Sequence, residues 1–102
     1  MYQEIKNKIV ELLDGLEYEK ILLFGSRARG ENRDDSDYDV IVVLKNNIER
    51  EDKFSLQNKI RRAFAKEKID IDIIVKSLTQ YDYMKNNMGN VIYYANHEAI
   101  AL

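Results

Sequence analysis

Ile5, Ile9, Leu12, Leu13 and Leu16 recur at helical spacing among charged residues, with Gly15 close to the end of the run. That rhythm predicts an amphipathic first helix. The run "KILLF" is short and wholly apolar, and reads as a buried strand ending at Gly25. Residues 26–36 are mainly polar and form a loop, with room for one helical turn from Ser26. "DYDVIVVL" has the β-branched content and the length of a strand. In "EDKFSLQNKIRRAFAKEK" the residues Phe54, Leu56, Ile60 and Phe64, with Ala63 beside them, are expected on one face of a second helix. "IDIDIIV" is a third strand, alternating at first and then apolar. "SLTQYDYMKNNM" begins as a capped helix, since Ser77 or Thr79 can accept from early backbone N–H groups. The tail "GNVIYYANHEAIAL" suits either helix or strand, and helix is the expectation here. The resulting order, α-β-(loop)-β-α-β-α, predicts an α/β arrangement in the α+β sense: a small mixed sheet with helices packed against it.

Two carboxylates sit oddly in this scheme, because Asp37 and Asp39 open an apolar strand. Residues two apart in a strand point the same way, with Cα atoms about 6.6 Å apart. Asp70 and Asp72 repeat the spacing in the third strand. If the two strands are neighbours, three or four acids crowd one corner of the sheet, where like charges repel and burial raises the cost of ionising them. A divalent cation removes that penalty. Oxygen ligands without His or Cys favour Mg²⁺ or Mn²⁺ over zinc. The plainer readings are a turn residue at Asp37, a surface partner for Arg27 or Arg29 at Asp39, and a wet edge strand at Asp70 and Asp72.

Gly25-Ser26 adds the other half of a site. A glycine at a strand end lets the backbone turn and approach a ligand closely. Ser26 offers its hydroxyl and nearby N–H groups to an anion. Arg27, Arg29 and Arg33 add charge suited to phosphate oxygens. Phosphoryl and nucleotidyl transfer need such a pairing: two metals about 4 Å apart clamp the attacking and leaving oxygens, while a separate site anchors the pyrophosphate.

Composition narrows the class. With 102 residues, the chain is expected to form one domain over 1–102, without room for a separate substrate-binding domain. A net charge of -2 with interspersed signs argues against a nucleic-acid surface covering the molecule. The absence of cysteine excludes disulfides and thiolate zinc sites. No signal-like block or membrane-length apolar run is present, so a cytoplasmic setting is expected.

Gly25-Ser26, ten intervening residues and Asp37-x-Asp39 match the G-S-x(10)-D-x-D signature of the DNA polymerase beta-like nucleotidyltransferase superfamily. The small size and the "GSRARG" wording resemble its minimal nucleotidyltransferase (MNT) branch, over nearly the whole chain. The resemblance implies that fold in a single minimal domain. It also implies Mg²⁺, two ions, at Asp37, Asp39 and Asp72, with the third acid activating the attacking hydroxyl. Asp72 is chosen over Asp70 because Ile73-Ile74-Val75 continues as the family pattern does. Gly25, Ser26 and Arg27 would hold the phosphates of ATP; Arg29 is a second candidate and Arg33 a loop charge. Members resembling this chain are antitoxins of HEPN/MNT toxin–antitoxin modules. The implied reaction moves AMP from ATP to a tyrosine hydroxyl of a HEPN-domain RNase toxin, with no nucleic-acid substrate.

Two other functions compete. One is a binding module that neutralises its partner by occlusion; the other is transfer to a small molecule of the aminoglycoside type, which usually needs an extra helical domain. His97 reads as a surface or capping residue. The seven tyrosines read as packing against the sheet or a partner. Arg61, Arg62 and the Lys66–Lys68 cluster read as an exposed helix end, where basic side chains complement the macrodipole.

Overall fold

The computed structural model describes residues 1–102, in the order α1 (Tyr2–Leu12), β1 (Tyr18–Phe24), α2 (Gly25–Arg29), β2 (Tyr38–Leu44), α3 (Arg50–Ala65), β3 (Ile71–Ser77), α4 (Leu78–Lys85), α5 (Val91–Glu98) and β4 (Ile100–Ala101). The four strands form one mixed sheet in the order β3-β2-β1-β4. β2 runs antiparallel to β1 and parallel to β3, and β4 pairs antiparallel with the outer side of β1. No helix is long and apolar enough to cross a membrane.

Strand alternation divides the core into two layers. Ile21, Leu23, Val40, Val42, Ile71, Ile73 and Val75 point to one face, where Ile5, Ile9 and Leu13 from the α1 end and Leu56, Ile60 and Phe64 of α3 cover them. Leu22, Ile41 and Val43 point to the other, under Tyr81 of α4 and Ile92 and Ala95 of α5. Because both faces of β2 are covered, its central residues are uniformly apolar. Ile60 has no exposed surface, so truncating it to alanine costs about 2–5 kcal/mol.

The helix starts follow side-chain chemistry. Ser77 Oγ accepts from the Gln80 backbone N–H at 3.2 Å, and Gln80 Oε1 accepts from the Ser77 N–H at 3.3 Å, a complete capping box for α4. Asn90 Oδ1 accepts from the Tyr93 N–H at 3.0 Å and caps α5. Of the Ser77 and Thr79 alternatives, Ser77 is the cap.

Four expectations are adjusted. α1 stops at Leu12 because Asp14 and Gly15 take left-handed conformations (φ 53° and 88°), which leaves Leu16 exposed beyond the helix. Phe54 is exposed: it lies two residues from Leu56, about 200° round the helix, on the opposite face. Asp37 and Asp70 precede their strands instead of belonging to them, so the strand-spacing argument does not extend to either. The tail is helical over α5 as expected, and then adds the short strand β4.

Candidate active site

β1 ends at Phe24, which faces Asp39 across the antiparallel ladder. The chain then turns at Gly25 with φ +75°, a conformation that side chains other than glycine's adopt at a cost. A Cβ on Gly25 would fall on the carboxylate of Asp39. Glycine is therefore required twice over, by backbone conformation and by the acid packed against it. Gly25-Ser26 and Asp39 are brought into direct apposition.

The parallel pairing of β2 with β3 sets Asp39 in register with Asp72. Alternation sends both to the α4–α5 side, at the end of the sheet where both strands begin. Asp37, Asp70 and Asp72 line one open cleft of about 470 Å³ together with Arg61. The Asp39 carboxyl is held above the ordinary carboxylate value, first by burial and then by the Asp72 and Asp37 charges; Arg29 opposes the shift and Glu98 adds to it. Arg61 of α3 approaches Asp72 at 3.9 Å, a loose pair between exposed groups that does little to offset the cluster.

Arg29 and Arg27 part company. Arg29 Nη1 donates to both oxygens of Glu98, at 3.0 and 2.9 Å, and Nε donates to Glu31 at 3.2 Å. Glu98 Oε1 also accepts the Gly25 backbone N–H at 3.0 Å. These hydrogen bonds, led by that of Arg29, hold the Glu98 carboxyl below the usual carboxylate value. The Arg27 side chain turns to its own loop, donating to the Ser36 and Asp34 carbonyls and lying over the Tyr38 ring.

Glu98 and Arg61 were outside the set of residues marked by sequence. Glu98 has no local signal, since it reaches Gly25 only because α5 crosses back to α2. Arg61 sits on the polar side of α3 and gains its place from the packing of that helix against β3, beside Asp72. His97 meets only the Tyr93 carbonyl and ring and stays exposed, as expected. Tyr81 is a core residue whose hydroxyl donates to Asn96.

The donor set is all oxygen and carries uncompensated negative charge, which suits Mg²⁺. No group of three or more His, Cys, Asp or Glu side chains is placed so as to hold a metal ion by itself. Mg²⁺ does not require one, because it usually binds through one or two carboxylates plus substrate phosphates.

A polymerase beta nucleotidyltransferase family model matches residues 7–98. The chain belongs to the polymerase beta nucleotidyltransferase family. Solved structures of similar fold include a toxin–antitoxin complex with AMP-PNP (TM-score 0.60, 21% identity, covering 94% of this chain and 70% of that one). Another is a Sulfolobus solfataricus protein classed with the nucleotidyltransferases (TM-score 0.64, 24% identity, 96% and 76% covered). A third is a tri-AMPylated Shewanella oneidensis HEPN toxin in complex with its MNT antitoxin (TM-score 0.59, 20% identity, 99% and 71% covered). At these identities the likeness to this nucleotidyltransferase is one of fold. No curated protein matches the chain by sequence.

Proposed function

We propose that this nucleotidyltransferase transfers AMP from ATP to a tyrosine hydroxyl of a HEPN-domain toxin, acting as its antitoxin in the cytoplasm. The observation that carries the reading is Asp39 packed directly on Gly25 and registered beside Asp72. The Gly25 turn and a cluster of acids stand at one end of the sheet, which supports a phosphate site facing a metal-holding corner. Membership of the family and the fold shared with the AMP-PNP complex and the AMPylated-toxin complex support it.

In this mechanism Gly25 and Ser26 would receive the triphosphate, and Asp37, Asp39 and Asp72 would hold Mg²⁺ together with it. Bound Mg²⁺ supplies charge neutralisation of the polyphosphate at the moment of transfer. The acceptor oxygen attacks the α-phosphorus. The bond from that phosphorus to the oxygen bridging to the β-phosphate breaks, and pyrophosphate leaves. Asp72, exposed at the cleft, takes the hydroxyl proton. In this reading the partner forms the remaining wall of the open cleft.

The test is intact mass of the partner toxin after incubation with this protein, ATP and Mg²⁺. A gain of one or more AMP units on a tyrosine is expected, and none with the Asp37→Ala/Asp39→Ala double variant. Undiminished modification by that variant would overturn the assignment.

A second reading is inhibition by occlusion. The exposed Tyr83, Met88, Val91 and Tyr94 on and between α4 and α5 favour it, as apolar surface available to a partner. Full neutralisation of the toxin by the double variant, without any mass gain, would select this reading.

A further inference from the structure

We propose that Arg27 is a positioning residue that fixes Asp37, in place of the phosphate contact its sequence context suggests. The inference rests on the reading of Asp37 as a metal ligand. One guanidinium grips the chain on both sides of that acid. On the leading side, Arg27 Nε and Nη2 donate to the Ser36 carbonyl at 3.1 and 2.7 Å, and Nη2 donates to the Asp34 carbonyl at 3.2 Å. On the following side, Arg27 Cζ lies 3.8 Å from the centroid of the Tyr38 ring. That ring is buried and braced edge-on by Tyr2, so it gives the guanidinium a firm surface.

Asp37 needs such a device because it lies outside β2 and takes no place in the sheet ladder. Asp39 is held by strand pairing on both sides and by Gly25; Asp37 has only its neighbours. The loop before it is linked to itself through Ser36, whose Oγ accepts from the Arg33 N–H at 2.9 Å and whose N–H donates to the Arg33 carbonyl at 3.1 Å. Arg27 connects that unit to α2 and hence to Gly25-Ser26. Beyond the β1–β2 pairing, this one side chain ties that turn to the residue directly before the first acid. A planar fork with a stacking face can do this, whereas a lysine, with a point charge and no plane, cannot.

The experiment compares Arg27→Lys and Arg27→Met in the full-length protein. Amide exchange over residues 33–37 is measured without ligands, and Mn²⁺ binding with ATP by titration. Asp37→Asn is the reference. The clamp predicts that Lys fails like Met. Both speed exchange over 33–37, both raise the Mn²⁺ half-saturation by about tenfold, the scale typical of lost second-layer support, and both leave metal-free ATP affinity unchanged. A phosphate ligand predicts the reverse: Lys retains function, exchange is unaltered, and metal-free ATP binding falls in Met. That result would overturn the proposal, as would unchanged Mn²⁺ binding in Arg27→Lys when Asp37→Asn is impaired. Unchanged Mn²⁺ binding in Asp37→Asn itself defeats the metal reading beneath, while the apo exchange result still reports on the clamp.

Discussion

Glu98 and Gly25 lie 73 positions apart, yet the Glu98 carboxylate accepts the Gly25 backbone N–H at 3.0 Å while binding Arg29. An internal anion thus occupies two donors beside Ser26, within the proposed phosphate site. An incoming polyanion must compete with it and meets its charge. Glu98→Gln, which removes the charge and keeps the size, is expected to tighten binding of an ATP analogue several-fold by calorimetry. Weaker binding in that variant would mean that Glu98 orients the site.

Gly25→Ala should be far worse than Gly15→Ala. Both glycines have positive φ, so each substitution carries a backbone cost of about 1–2 kcal/mol. Nothing lies near a Cβ at Gly15, whereas at Gly25 it meets the Asp39 carboxylate. Urea unfolding of the two variants isolates that collision as the excess at position 25, and nucleotide transfer should be lost only there.

Asp39 provides a pH signature. Its carboxyl titrates above the ordinary value through burial and the neighbouring acids, so the folded state binds its proton more tightly than the unfolded chain does. That contribution to stability is complete below the ordinary carboxylate pKa and is lost as pH rises through the elevated one. Asp39→Asn mimics the protonated acid. It is expected to raise Tm by a few degrees at neutral pH, to give no gain in strong acid, and to abolish transfer. A Tm unchanged at every pH would show that the charge is already offset.

Tyr81→Phe tests the α4–α5 layer. The ring is fully buried and its hydroxyl donates to Asn96 of α5, so losing the hydroxyl should cost about 1 kcal/mol in urea unfolding. Tyr83→Phe, on an exposed side chain of the same helix, should be neutral.

Much of this arrangement was legible in local signals. The apolar runs of β1, β2 and β3 and the helical rhythm of α1 and α3 are periodicities, which depend on neighbours a few residues away. Gly25-Ser26 and Asp37-x-Asp39 were legible through their interval, because consecutive antiparallel strands bring the end of one beside the start of the next. Boundaries were less so. The shift of Asp37 and Asp70 out of their strands depends on where pairing with other strands begins.

The types of α1, β1, β2, α3 and β3 and the facing of Gly25-Ser26 with the acids were thus written in the order of residues, since each follows from backbone periodicity or one connecting loop. The strand β4 and the covering of both faces of β2 were not. Folding in three dimensions added the register of Asp39 with Asp72, the Glu98 contact on Gly25 and the use of Arg27 as a clamp. Each of these joins groups whose meeting depends on how strands align or on how helices and loops pack. Long flexible side chains such as arginine and glutamate take the partners that packing leaves within reach, and no nearby residue names those partners in advance.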